Sequence, residues 1–571
     1  MAEILSMQEV PFRPRAFEKV ASALEELEED VADIYKRAGL AGLERIPGVG
    51  KGIAERIEEY LKTGRIKDYL ALKKKMPVDV RGLTAIEGIG PKTIKILYQK
   101  LNIKNVRELE RAARDGKLRA LPRLGQKFEE KILKSIAFRK KSGGRFLLGE
   151  VRPLAEGIKK RLLALRGVER VEFAGSLRRM QETIGDLDML AVSARPAEVM
   201  DLFVGMSEVV HVYAKGKTKS MVRLSAGIDA DLRVIPKESF GAALQYFTGN
   251  KDHNVALRKI AIKRGFKLNE YGLWRGKRQI AGQDEKDIYQ KLGLDWMPPE
   301  IRLNLGELEA AAKHKLPKLV GYGDLRGDLQ TQTDWTDGAD SLEDMAEEAE
   351  RLGLEYILIT DHTKSLAMTH GSDEKKLLRQ IKAIAALNEK LQKRGNKIRV
   401  LSGAEVNILK DGHLDIEDRV LSELDVVGAA VHSHFHLAEA EQTARVIRVM
   451  ENPHVDIIFH PTGRIINERE AISLNMEKIF AEAKRTGTIL EIDAYPSRLD
   501  LKGENIRRAR ELGIKFSISS DAHATAHMRF LAYGLGQARA AWCGKRDIIN
   551  TLPLKKFLEL MKKPKSKRFR Q

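Results

Sequence analysis

In VERVEFAGSLRRMQETIGDLDMLAV, residues 168–192, two apolar strands flank a Gly-Ser turn and a pair of arginines. A strand over GDLDMLAV places Asp186 and Asp188 on one face, because successive side chains in a strand point to opposite sides. Two unpaired carboxylates buried in so apolar a strand would be costly, which favours a functional over a merely solvated role. Gly175 and Ser176 end the preceding strand, and Arg178 and Arg179 open the next segment. A further strand, IDADLRVIP at 228–236, offers Asp229 and Asp231 on a common face. Carboxylates on adjacent strands beside an anion-binding turn suit two-Mg2+ phosphoryl transfer. In that chemistry one ion activates a 3′-hydroxyl and the other holds the triphosphate and the leaving pyrophosphate.

Toward the N-terminus, from Phe17 to Phe138, apolar residues recur at helical spacing. A phrase repeats there: IPGVGKGIAERI at 46–57, IEGIGPKTIKIL at 86–97 and, more weakly, LPRLGQKFEEKIL at 121–133. Each joins an apolar residue and a glycine turn to an amphipathic helix with an early basic residue. Glycines permit close backbone approach, and a helix start offers free N–H groups. Such a set of donors can hold a DNA phosphate without reading its base. One copy is no more than a tight helix–helix turn, but two clear copies in a basic segment favour DNA binding. Of the 101 Lys and Arg, 62 fall in residues 1–320, against 43 Asp and Glu, whereas residues 321–571 hold 39 against 38. A basic front and a nearly neutral back suggest a polyanion-binding unit joined to a different module.

GSLRR, GDLD, DLRVIP and then YFTGNKDHNVALR at 246–258 together resemble the palm and thumb of family X DNA polymerases, and the glycine phrases resemble helix-hairpin-helix motifs. The similarity runs from about Phe17 to Leu316 and implies a nucleotidyltransferase of short-gap and base excision repair, dependent on Mg2+ or Mn2+. It makes Asp186, Asp188 and Asp231 the catalytic, metal-binding carboxylates. Gly175, Ser176 and Arg179 would contact the incoming triphosphate. Tyr246, Phe247 and Gly249 would line the sugar pocket, with Asn254 and Arg258 touching the nascent pair or the template. Gly48, Gly50, Lys51, Gly88, Gly90 and Lys92 would meet DNA phosphates. The eukaryotic members form a Schiff base through a lysine whose position here is Arg56, and the other lysine of that pocket is matched by Gly52. Arginine stays protonated and is no amine nucleophile, so the match does not carry lyase chemistry over.

Beyond LPKLVGYGDLRGD, 316–328, the chain repeats a strand, a polar residue at its C-terminal end and a helix. The strand ends are DLQTQTDWTDG (Asp337), YILITDH (Asp361, His362), IRVLSGAEV (Glu405), VVGAAVH (His432), VDIIFHP (His460), ILEIDAY (Asp493) and FSISSDAH (Asp521, His523). Seven such units imply a parallel barrel, which places its chemistry at the C-terminal strand ends. Imidazoles and carboxylates recurring at those ends form a metal-site pattern suited to Zn2+ or Mn2+. Ten of the 13 histidines lie between His362 and His527.

This stretch resembles a PHP domain, the polymerase and histidinol phosphatase type of metal-dependent phosphoesterase. The ligands it implies are Asp337, His362, Glu405, His432, His460, Asp521 and His523. Glu405, His432 and His460 would hold one ion, and Asp337, His362 and His523 another. The family opens with a His-x-His pair, whose positions here are Gln330 and Gln332. A neutral amide is a poor ligand for Zn2+ or Mn2+, so one of three family metal positions is expected to be weak or empty. The resemblance implies a weak metal-dependent 3′–5′ exonuclease or abasic-site nuclease. The alternative is a non-catalytic structural or DNA-positioning module.

The expected fold is multidomain, α and α/β. Its parts are an N-terminal helical domain with the first hairpin (1–80), fingers with the second (81–145), palm (146–240), thumb (241–315), a linker (316–325) and the barrel with its basic tail (326–571). No apolar run reaches the ~18 residues of a membrane span, and MAEILSMQEV has no basic n-region, so neither membrane nor signal peptide is expected. The lone Cys543 rules out an intrachain disulfide framework and fits a reducing cytoplasm. The expected partners are gapped or primed double-stranded DNA and deoxynucleoside triphosphates, acting on a monomer.

Overall fold

A computed structural model of the chain describes residue 31 onward except positions 47, 76, 85, 87–88, 122–123, 127, 131, 134–135, 137–143 and 570–571. Before Val31 it describes only residues 5, 16, 17, 20, 21, 23 and 24. The chain divides into two units, residues 1–144 with 467–470, and residues 145–466 with 471–571.

In the first unit the same backbone bond recurs in the three glycine phrases. A backbone bond closes each turn: Val49 N to Ile46 O at 3.0 Å, Ile89 N to Ile86 O at 3.0 Å, and Leu124 N to Leu121 O at 3.1 Å. The third copy, whose sequence is the faintest, therefore carries the same bond as the first two. Helix α1, Lys51–Thr63, starts after Gly50, and α2, Pro91–Leu101, starts after Gly90. Neither has a side-chain cap, so their first N–H groups are left for another acceptor. Pro91 costs nothing at the first helical position, where its missing N–H would be unpaired anyway. The turns anchor through buried apolar residues, Ile46 and Val49 in one core and Ile86 and Ile89 in another.

The second unit begins with the palm. Helix α3 is Leu148–Leu163 and α4 is Pro196–Val204. The sheet strands are β1 Val168–Phe173, β2 Asp186–Ser193, β3 Val209–Lys215, β4 Lys219–Leu224 and β5 Asp229–Val234, in spatial order β1-β2-β5-β4-β3. Alternation divides β2 between two cores. Leu187, Met189 and Ala191 pack with α3 and α4. Leu190 and Val192 meet Phe240 and Leu244 of α5, Phe240–Thr248. Asp186 and Asp188 have the parity of Leu190 and Val192, so they continue the face that α5 covers. The thumb continues with α6, Lys251–Lys263, and an antiparallel three-stranded sheet within 267–281.

The remaining strands, β6 Gly327–Thr331, β7 Tyr356–Ile359, β8 Arg399–Asn407, β9 Val426–Ala430, β10 Ile457–Ile458, β11 Ile489–Asp493 and β12 Phe516–Ser519, pair in sequence order, every neighbour parallel. Gln332 N donates to Ala522 O at 2.8 Å and brings the first and last strands together, nearly closing a barrel. At the strand starts Phe557 stacks on Tyr356, ring centroids 4.9 Å apart. One end is thus plugged by apolar side chains, and the polar strand ends gather at the other.

Palm and barrel share one core. Ile466 and Leu499 of the barrel are buried among palm residues. Gly149 in α3 lies so near Pro496 that a Cβ there would overlap its ring, so glycine is what lets the two surfaces touch. Gln537 in α7, Leu531–Ala540, donates to Met180 O at 2.7 Å. Among the described residues no helix is long and apolar enough to cross a membrane.

Candidate active sites

Strands β2 and β5 run side by side in a register that pairs Asp186 with Asp229 and Asp188 with Asp231. Asp229 is drawn aside to Arg223, whose Nη2 lies 3.0 Å from Oδ2, which leaves Asp231 facing the β2 pair. Burial pushes the Asp188 carboxyl up to about 7, and the charges of Asp186 and Asp231 push the same way. Three converging carboxylates, one of them held near neutrality, form a donor set that fits divalent cations. Gly175 closes the site. Its φ is +57°, and a Cβ would collide with Asp188 Oδ2, so the turn can approach only as glycine. Ala174 N ties the turn to the strand by donating to Asp188 O at 2.9 Å.

Ser176 lies on the same turn, half-buried. Arg179 donates through Nη1 to Thr248 O at 2.6 Å, while its buried Nε has no hydrogen-bond partner. Burial brings this guanidinium down to about 10 against the pull of Asp188, a setting that favours an incoming anion. Tyr246 and Phe247 end α5 with ring centroids 5.1 Å apart, and Arg233 lies 4.6 Å over Phe247. Gly249 terminates that helix. Asn254 is turned inward, its Nδ2 donating to Tyr246 O at 2.7 Å and Gly249 O at 3.0 Å, so it braces the turn. Arg258 stands one helical turn further on, half-buried.

Arg178 has a role that sequence reasoning missed. Its Nη2 lies 2.7 Å from Glu285 Oε2 and its Nη1 donates to Thr248 Oγ1 at 2.6 Å, which ties the palm turn to the thumb. Glu285 also accepts from the fully buried Arg302 at 2.5 Å. The arginine pair in GSLRR was the available signal, but Glu285 lies 107 residues away, beyond any local pattern.

In the first unit Lys51 and Lys92 are exposed at the starts of α1 and α2, beside Gly50 and Gly90, and Gly48 is exposed in the first turn. Gly88 lies outside the described residues. Arg56 is engaged with Gly52 O and with Asp68 Oδ2, the latter at 2.6 Å.

At the open end of the barrel the strand-end residues converge into two groups with room for an ion each, Asp337 with His362 and His523, and His362 with Glu405 and His432. His362 takes part in both, its Nε2 3.7 Å from Asp337 Oδ2 and its Nδ1 3.5 Å from Glu405 Oε2. His523 Nε2 is likewise 3.7 Å from Asp337 Oδ2. Two ligands of one tetrahedral ion stand about 3.4 Å apart, so these gaps fit. His460 was expected in the second set. It borders that set, with Nε2 2.8 Å from Glu405 Oε1. A buried ring nitrogen of His362 lacks a hydrogen-bond partner, His432 Nε2 stands 2.8 Å from Glu405 Oε1, and burial holds His432 neutral, bringing it down to about 4. A neutral imidazole is suited to a metal. Asn407 Oδ1, 2.7 Å from His432 Nδ1, orients that ring. Asp361, by contrast, is saturated by Thr333, Thr336 and Gln380. Asp521 lies between Arg498, whose Nε is 3.4 Å from Oδ2, and His523, whose Nδ1 is 3.9 Å from Oδ1.

A carboxylate triad on a mixed palm sheet, fused to a barrel with an imidazole-rich open end, defines a nucleotidyltransferase joined to a second metal-dependent domain. Family models agree region by region: a helix-hairpin-helix domain over 1–66, a SAM-like helix-hairpin-helix tandem over 80–137, a DNA polymerase beta thumb over 243–303 and a PHP domain over 328–493. The DNA polymerase/3′-5′ exonuclease PolX of Bacillus subtilis is 35% identical over 552 residues, covering 95% of this chain and 94% of that protein. Two proteins described as probable phosphatases are also similar. That of Syntrophotalea carbinolica is 28% identical over 37% of this chain and 85% of its own length, and one of Thermoanaerobacter is 30% identical over 39% and 88%. The chain belongs to the bacterial family X DNA polymerases that carry a PHP domain.

Proposed function

We propose that this chain is a template-directed DNA polymerase that fills short gaps during DNA repair, with a PHP domain that acts as a metal-dependent 3′–5′ exonuclease. The observation that carries the first part is the register of β2 against β5, which brings Asp186, Asp188 and Asp231 together beside Gly175. Asp186, Asp188 and Asp231 would hold Mg2+ or Mn2+, whose charge would lower the pKa of a 3′-hydroxyl and offset that of the triphosphate. Ser176 and the underpaired Arg179 receive the triphosphate oxygens, and the turn at Tyr246–Gly249 packs against the sugar. The hairpin lysines and free helix starts hold backbone phosphates of gapped or primed duplex. In the barrel, His362, Asp337 and His523 on one side and Glu405 and His432 on the other would hold Zn2+ or Mn2+, with His460 adjoining Glu405.

The test is extension of a labelled primer across a gapped duplex in the cytoplasm-like condition of Mg2+ and neutral pH. Templated incorporation that needs the divalent ion is the expected result, and DNA binding without incorporation would overturn the reading. Loss of nucleotides from the labelled 3′ end in Mn2+ tests the barrel separately, and its complete absence would favour a positioning role for that domain.

A further inference from the structure

The open end of the barrel holds more negative charge than its two ion-sized groups use. Asp493 and Asp521, at the ends of neighbouring strands, are both buried, and neither belongs to those groups. Buried carboxylates without a cation are expensive. Arg498 supplies one, with Nε 3.4 Å from Asp521 Oδ2 and 3.6 Å from Asp493 Oδ2. Across the same end, Gln330 and Gln332 each donate an amide N–H to Glu405 Oε2, both at 3.0 Å. Those two donors share Glu405 Oε2 with His362, 3.5 Å away, and leave Oε1 to His432 and His460. The amide oxygens of both glutamines are buried without a partner, too weakly basic to replace imidazoles. Donors and charge on this side are therefore arranged for an organic cation and do not fit a third metal.

We propose that the guanidinium of Arg498 replaces the third metal ion of this barrel, so that the site takes two divalent ions and one fixed organic cation. The inference rests on the metal-dependent reading of the barrel and concerns how many ions it holds. A guanidinium stays charged at any working pH and is more weakly hydrated than an ammonium. It places one permanent positive charge between Asp493 and Asp521, where a metal would exchange. Its planar donors also suit a phosphate oxygen, so the chemical class it would meet at the mouth is the phosphodiester of a DNA 3′ end.

The experiment counts tightly held Mn2+ on the full chain by elemental analysis after desalting and locates the ions by anomalous scattering. The wild type is expected to hold two barrel ions, with none between Asp493 and Asp521. Q330H/Q332H is expected to stay at two, because Arg498 still fills the position. Adding R498M to that pair is expected to raise the count to three, and adding R498K is expected to leave it at two. A third ion in the wild type, or in Q330H/Q332H with Arg498 intact, would overturn the proposal. So would two ions in Q330H/Q332H/R498M. The Q330H/Q332H arm keeps the buried ion pairs and so does not depend on the arginine variants folding. None of the counts depends on turnover, so an inactive exonuclease would leave this test readable.

Discussion

At the scale of single residues, position 175 and position 285 give the sharpest expectations. Gly175→Ala adds a methyl that collides with Asp188 Oδ2 at a φ of +57°. The left-handed backbone alone costs about 1–2 kcal/mol for a non-glycine residue, and the methyl must also displace the Asp188 carboxylate. Incorporation on gapped DNA should fall about tenfold or more with DNA affinity unchanged, and wild-type rates would show that the turn is free to move. Glu285 is different, because burial raises its carboxyl while Arg302 and Arg178 outweigh burial and bring it down to about 2. A depressed carboxylate stabilises the fold above its unfolded pKa, near 4.5, and that stability is lost as pH falls toward 2. The contribution is about 3 kcal/mol. Urea unfolding of Glu285→Gln should show that loss at pH 7 and a flatter acid limb below about 4.5, and unchanged stability at pH 7 would contradict the assignment. The carboxylates were legible because alternation in one strand fixes their face. Arg178, Glu285 and Arg498 were not, since each acquires meaning only from a partner that the fold brings across from another element.

At the scale of elements, the glycine phrases show how much a short motif determines. The third copy, LPRLGQKF, has the same turn bond as the first two, because an apolar anchor three residues before the next apolar residue, with glycine directly after, suffices to set the turn. Helix starts without side-chain caps at Gly50 and Gly90 suit phosphate oxygens, and Lys51 and Lys92 stand exposed beside them. Replacing both lysines with alanine should reduce the dependence of log affinity on log salt by up to about two, read from binding to gapped duplex at several salt concentrations. An unchanged slope would mean that the lysines point away from the backbone. The barrel repeat was equally legible, since each apolar strand ends in a ligand-type residue. The sorting of those residues into ion sites was not. His362 belongs to both groups, and His460 only borders one, because which rings converge depends on contacts across strands that no spacing reveals.

At the scale of the whole molecule, palm and barrel pack together within the second unit. Leu499, wholly buried, fills the palm core from a barrel loop, and Arg464 meets Glu182 of the palm at 2.7 Å. Leu499→Ala should cost about 2–5 kcal/mol and lower the melting of palm and barrel together, as followed by calorimetry. A cost below about 1 kcal/mol would mean that the interface carries no stability. Leu499 is the residue after Arg498, so the loop that carries the barrel's fixed cation also anchors it to the palm. This joint could not be read from a sequence in which the two domains look separable. The central claim remains that Asp186, Asp188 and Asp231 form the nucleotidyl-transfer centre. The most direct measurement is primer extension on gapped duplex by Asp188→Ala and Asp231→Ala, alongside DNA affinity and alongside His460→Ala. Removing a carboxylate that holds an essential ion should lower incorporation by about a thousandfold or more, equivalent to roughly 4 kcal/mol, with binding intact and with His460→Ala extending normally. Substantial extension by both aspartate variants would contradict the account.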